Sequence, residues 1–193
     1  MLVTVRALAI AAGALLVIGP LVRRREGRPP TSASSPSSGS RRLNPSARPV
    51  KGHTGGVKAV AVGRCSDGTP VAVSGDIPPG PDEVGGTPPS WIRIWNLDTG
   101  KPIGASIEVP SRGGVEVVVG RRGDGSPVIV SGDDDGNLLM WDLDTGERVG
   151  EPLGGHTRPI SALATGRRSD GTFVVVSGGM DKTIRIWSLR RAA

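Results

Sequence analysis

The chain has a single cysteine, Cys65, among 193 residues. No intrachain disulfide can form, and a metal site built on paired cysteines is ruled out. Asn44 is followed by Pro45, which spoils the one glycosylation sequon. Gly-Lys-Ser/Thr phosphate loops, Cys-x-x-Cys pairs and His-Glu-x-x-His helices are missing as well, so nothing supports nucleotide, dithiol or zinc-protease chemistry. These absences fit a reducing compartment and a chain that uses no cofactor and no metal.

Basic charge is scarce where a folded nucleic-acid binder would need it. Residues 1–48 carry eight Arg and one acid, net +7, whereas residues 49–193 carry 16 basic and 17 acidic side chains, net −1. A folded surface without concentrated Lys and Arg is not expected to hold specific nucleic acid. Long apolar runs are also rare, with one exception at the start. Ala7 to Val22 holds 16 residues without a charge, followed at once by Arg23, Arg24 and Arg25. As a helix this run reaches roughly 24 Å, short of a hydrocarbon core of about 30 Å. Counting from Leu2, with Arg6 snorkelling to the interface, makes it long enough to span.

A cleaved signal peptide would carry its charge ahead of the apolar run. Residues 1–25 are therefore expected to be a single-pass membrane anchor. The positive-inside rule then leaves everything after the Arg cluster cytoplasmic; a soluble cytoplasmic chain is the alternative. Residues 26–48 are mostly Pro, Ser, Gly and Arg. They hold too little apolar surface to repay ordering and are expected to be a disordered linker.

What the rest of the chain has is a period. Trp95, Trp141 and Trp187 recur every 46 residues, and Ile92-Arg93-Ile94-Trp95 returns as Ile184-Arg185-Ile186-Trp187. Three copies are read at about 49–100, 101–146 and 147–193. Each opens with a short apolar strand (57–62, 115–119, 160–165). An Asp-Gly follows in each, expected to turn a tight hairpin on positive φ angles (Asp67-Gly68, Asp124-Gly125, Asp170-Gly171). The second strands, 71–73, 128–130 and 174–176, are apolar without alternation, as in strands buried on both faces. The third strand alternates, and Asp98-Thr99-Gly100 or Asp144-Thr145-Gly146 leads to a looser outer strand. Units of this kind need neighbours to cover their faces, which describes propeller blades.

Gly52-His53-Thr54 and Gly155-His156-Thr157 open two copies, Ser-Gly follows each second strand, Asp135 and Asp181 stand six residues before a Trp, and Trp141-Asp142 is a literal Trp-Asp. In this combination, residues 49–189 resemble the WD-repeat β-propeller family, as a partial array in a bacterial-type membrane-anchored form. The resemblance implies an all-β fold: a partial β-propeller of three four-stranded antiparallel blades, here preceded by the hydrophobic helix and linker. It further implies a hydrogen-bonded His-Ser-Asp-Trp chain inside each blade. Carried over, the third copy has His156, Ser177, Asp181 and Trp187. The first has His53, Ser74 and Trp95, with its Asp unassigned. The second has Ser131, Asp135 and Trp141, but Pro110 stands at the His position, so its network should be incomplete.

A Ser-His-Asp trio would suit a hydrolase, yet its recurrence at the repeat period points to structural duty and no enzyme. Asp133-Asp134-Asp135-Gly136-Asn137 resembles the start of a calcium loop, but Gly136 is misplaced and no Glu closes it. An insertion of 11 residues between Ser74 and Trp95, carrying Pro78, Pro79, Asp82, Glu83 and Trp91, is a candidate partner-binding loop or a neutral decoration. Three copies also fall short of the four to eight blades of closed propellers. Two chains closing a six-blade ring, or a fragment of a larger array, are the two expectations. The expected function is a membrane-tethered, non-catalytic scaffold that binds protein partners; the alternative is a sensory or targeting module belonging to an NTPase or kinase.

Overall fold

The computed structural model describes residues 49–80, 86, 88–111 and 113–188, so the expected anchor and linker lie outside the described residues. Among the described residues no helix is long and apolar enough to cross a membrane. Every regular element there is a strand, in three antiparallel sheets that follow one another along the chain.

The first sheet is β1 (Gly56–Arg64), β2 (Pro70–Ile77), β3 (Ser90–Asn96) and β4 (Pro102–Val109), hydrogen-bonded in chain order. The second repeats it with β5 (Glu116–Arg121), β6 (Pro127–Gly132), β7 (Asn137–Asp142) and a two-residue β8 (Leu153–Gly154). The third holds β9 (Ile160–Arg167), β10 (Phe173–Gly179) and β11 (Ile184–Ser188). It is three-stranded among the described residues, one strand fewer than the four expected per copy. Register is common to the three: Val60 lies opposite Ser74, Val117 opposite Ser131 and Leu163 opposite Ser177.

The first turns differ in kind from a two-residue hairpin. Only the glycines take positive φ, 88° at Gly68, 88° at Gly125 and 81° at Gly171. In the first copy Gly68 N–H donates to the Cys65 carbonyl and Cys65 N–H to that of Thr69, the pattern of a type I turn closed by a left-handed glycine. The aspartate stays at ordinary φ, and its carboxylate accepts the Thr69 N–H at 2.8 Å. An Asp is favoured there because its short side chain mimics a backbone acceptor. Arg64, Arg121 and Arg167 then tie each inner strand to its turn, donating to Gly68, Gly125 and Gly171 carbonyls at 2.9 Å.

Burial follows the stacking of sheets. β5 lies against β1 on one side and β9 on the other. Val71, Val73, Ile92, Ile94, Ile107 and Val109 of the first sheet pack on Val115, Val117, Ile129, Leu139, Trp141 and Leu143 of the second. Val128, Val130 and Leu138 on the other face of the second sheet meet Ile160 and Val175, with Phe173 and Trp187 beside them. The middle sheet therefore has neighbours on both faces, and all six residues of β6 are buried. A polar latch reinforces the first junction: Ser66 donates its N–H and its hydroxyl to Asp144 at 3.0 and 2.5 Å. That bond holds the Asp144 carboxyl below the usual carboxylate range. Beside it, burial and then the Asp144 carboxylate push the Cys65 thiol up to about 11.

Candidate functional site

The polar side chains singled out by the repeat converge inside the sheets. In the third copy the Trp187 indole N–H donates to Ser177 Oγ at 2.8 Å, and Ser177 Oγ lies 2.8 Å from His156 Nε2. His156 Nδ1 stands 3.0 and 2.9 Å from the two Asp181 oxygens. A carboxylate can only accept, so Nδ1 carries the proton and Nε2 accepts from the Ser177 hydroxyl. The result is a one-way relay, indole to hydroxyl to imidazole to carboxylate, in which each bond polarises the next. Asp181 also accepts the Thr183 hydroxyl at 2.7 Å and the Thr157 N–H at 3.1 Å. The Thr183 bond first, then His156, holds the Asp181 carboxyl far below the ordinary range.

The first copy builds the same relay from Trp95 (2.8 Å to Ser74 Oγ), Ser74 (2.6 Å to His53 Nε2) and His53. Its carboxylate is Asp76, fully buried, 3.0 Å from His53 Nδ1. Sequence reading left this Asp unassigned because the 11-residue insertion breaks its offset from the Trp. The offset from the serine differs too: Asp76 stands two residues after Ser74, as Asp133 does after Ser131, whereas Asp181 stands four after Ser177, so no spacing shared with the third copy points to it.

The second copy keeps only part of the chain. Trp141 Nε1 donates to Ser131 Oγ at 2.9 Å, and no imidazole follows. Asp135, assigned to this network by its spacing, instead sits exposed in the turn before β7. Without a histidine nothing draws that carboxylate inward. Neighbouring aspartates take other duties: Asp133 accepts the Asn137 N–H at 2.7 Å, and Asp134 accepts the hydroxyl of the buried Ser111 at 2.6 Å. Burial pushes the Asp133 carboxyl up from its ordinary value.

Ser-His-Asp connectivity matches a hydrolase triad on paper, but the third copy's serine is not presented as a triad's nucleophile is. A nucleophilic hydroxyl must face a substrate carbonyl. Ser177 is fully buried, its oxygen taken up by indole and imidazole together. Two clefts among the described residues are lined elsewhere, by residues such as Arg121, Arg167 and Phe173. Among the described residues no group of His, Cys, Asp and Glu could hold a metal ion.

The insertion lies between β2 and β3. Pro78 is buried and Pro79 exposed, while Asp82 and Glu83 lie outside the described residues. Trp91 belongs to β3 rather than the loop, half-buried and paired with Glu108 on β4. Its N–H donates to Asp76 Oδ1 at 2.7 Å, and Ser90 next to it donates N–H and hydroxyl to the Ser111 carbonyl at 3.0 and 2.9 Å. Asp76 thus does double duty, closing the first relay and clamping the exit of the loop.

Residues 146–188 match the family described as WD domain, G-beta repeat. A solved structure titled "Structure of U3-55K" is similar at 19% identity and a TM-score of 0.52, over 74% of this chain and 38% of that one. This chain thus spans less than two-fifths of its structural neighbour. No curated protein matches its sequence. The two likenesses support the WD-repeat reading for the third copy by sequence and for the three sheets by fold.

Proposed function

We propose that the chain is a non-catalytic, membrane-tethered scaffold whose repeat segment binds protein partners through the loops that join its strands. The observation that carries this reading is the burial of the relays: Ser74, Ser131, Ser177, Asp76 and His156 are all buried, so the polar chemistry of the repeat is spent on holding strands together. What remains for a partner is the loop surface, and the Pro-rich segment between Ile77 and Ser90 is its largest departure from the repeat. The stems of that segment are held through Asp76 and Ser90, which limits the freedom those stems can lose on binding and favours affinity. Residues 1–25 serve as the anchor, with the sheets on the cytoplasmic side.

The test is a pull-down with the full chain and with a variant whose residues 78–89 are replaced by a short Gly-Ser turn, alongside fractionation of the cells. The scaffold reading expects partners lost from the loop variant at an unchanged thermal melt, and the full chain in the membrane fraction. Identical captures by both forms would refute the loop as the binding element, and a chain found wholly in the soluble fraction would refute the anchor.

A further inference from the structure

The two outer faces of the array are complementary. Where sheets meet inside the chain, glycines of one sheet admit the inner strand of the next. A Cβ on Gly63 would stand 2.5 Å from Val119, one on Gly120 2.6 Å from Phe173, and one on Gly132 2.7 Å from Ile160; a Cβ on Gly75 would collide with the Val115 carbonyl. The same register places Gly166 and Gly178 on the third sheet. There a Cβ would meet only Val174 or Ala162 of its own sheet, at 3.9 Å in each case. The clearance for a following sheet is present, and no described residue fills it. Ile184 and Ile186 beside it are 76% and 61% exposed.

The first sheet offers what would fill it. Val60 and Val62 hold the register positions of Val117 and Val119, yet they are 71% and 68% exposed, where Val117 is 4%. A short extended segment rides on the same face. Val50 lies 3.7 Å from where a Cβ on Gly100 would be, as Ile107 of β4 lies 3.5 Å from the matching point on Gly146. Gly52 abuts Trp95 at 2.6 Å as Gly155 abuts Trp187 at 2.7 Å. Residues 50–52 are therefore docked as residues 153–155 are, and Leu153 and Gly154 form β8, the outer strand that completes the preceding sheet through the pair Leu138 and Leu153. In the third sheet the counterpart of Leu138 is Ile184, on an edge that is open among the described residues.

We propose that two copies of this chain associate head to tail. Val60 and Val62 of each copy enter the clearance at Gly166 and Gly178 of the other, and residues 50–51 add a fourth strand beside Ile184. A second copy is the occupant because its first sheet repeats Val117, Val119, Trp141 and Leu143 of the second as Val60, Val62, Trp95 and Leu97. Arg93 stands at the place of Leu139, where the third sheet also carries an arginine, Arg185, and Ala72 stands at the place of Ile129. Two copies bring six sheets round one axis, within the about four to eight of closed propellers, whereas three would exceed it. The contact is heterologous and closes after one rotation, which leaves no free edge to propagate. This association goes beyond the scaffold reading and does not depend on which partner the loops bind.

Sedimentation equilibrium of the full chain in mild detergent, at tens of micromolar, is expected to give twice the 19.8 kDa chain mass. Gly166→Val should return the monomer mass, raising the dissociation constant at least about tenfold, a 1.4 kcal/mol change. The monomer's melting temperature should hold, because a β-branched residue there meets open space. Separate copies carrying Val50→Cys and Ile184→Cys, each with Cys65→Ala, should give a covalent dimer on oxidation after mixing. A monomeric parent chain, a dimer indifferent to Gly166→Val (as one held through residues 1–25 would be), an open-ended ladder of higher masses, or no Val50–Ile184 cross-link would each overturn the proposal.

Discussion

The second and third sheets solve the same problem with different means. β6 is buried along its whole length between two neighbouring sheets, and the second copy manages with a bare indole-to-hydroxyl bond. The third sheet has a neighbour on one face only among the described residues, and its β11 alternates exposed and half-buried. That sheet carries the full four-membered relay. The first sheet, also covered on one face, has a full relay too. Apolar burial and polar ties thus substitute for one another: a sheet squeezed from both sides can lose its histidine, whereas a one-sided sheet relies on the relay to fix the spacing of its strands.

Truncating the apolar side of the comparison should have the largest effect. Ile129→Ala, in the doubly covered β6, is expected to cost about 2–5 kcal/mol by denaturant titration. Ile186→Ala, on the open face of the third sheet, should stay within about 0.5 kcal/mol when measured below the concentration at which copies associate. Equal costs would end the idea that the two sheets draw on different sources of stability.

The polar side comes next. His156→Ala interrupts a buried relay and should cost about 1–3 kcal/mol, and Ser131→Ala, which removes a single bond, about 1 kcal/mol. Activity assays on His156→Ala give an independent check, since a hydrolase would lose turnover while keeping its melting temperature.

The smallest effect distinguishes the sheets by pH. Asp181 is held below the ordinary carboxylate value of about 3.9, so its stabilisation is complete above that pH and fades as acid drives it through its lower folded value. Asp133 has the opposite sign: burial raises its folded value, so the native state takes up a proton first and gains stability as pH falls towards the unfolded value. Urea midpoints followed from about pH 6 to about pH 3 should lose their acid-side fall in Asp181→Asn and fall more steeply in Asp133→Asn. Indistinguishable profiles in the two variants would remove the electrostatic half of the comparison.

The sequence made the strand order, the turns and most relay members legible, because each is set by short, repeated spacings. What it hid has physical causes. Asp76 shares neither offset with Asp181: an insertion separates it from Trp95, and it follows Ser74 by two residues where Asp181 follows Ser177 by four. Asp135 kept the right spacing but lost its purpose once Pro110 replaced the histidine, since an aspartate turns inward only where a donor waits. The Asp-Gly pairs announced a hairpin without fixing its length; only the hydrogen bonds of the turn distinguish a two-residue loop from one closed by a left-handed glycine. The Ser66 latch to Asp144 joins residues 78 apart in sequence, a pairing that no local pattern could disclose.

Cys65 gives the junction between the first two sheets a built-in clock. Burial and then Asp144 push its thiol up to about 11, so the reactive thiolate is scarce at neutral pH. An alkylating reagent is therefore expected to react slowly at this half-buried thiol, and faster when Asp144 releases its neighbours. The lone sulfur thus converts breathing of the array into a chemical rate, read without any engineered label.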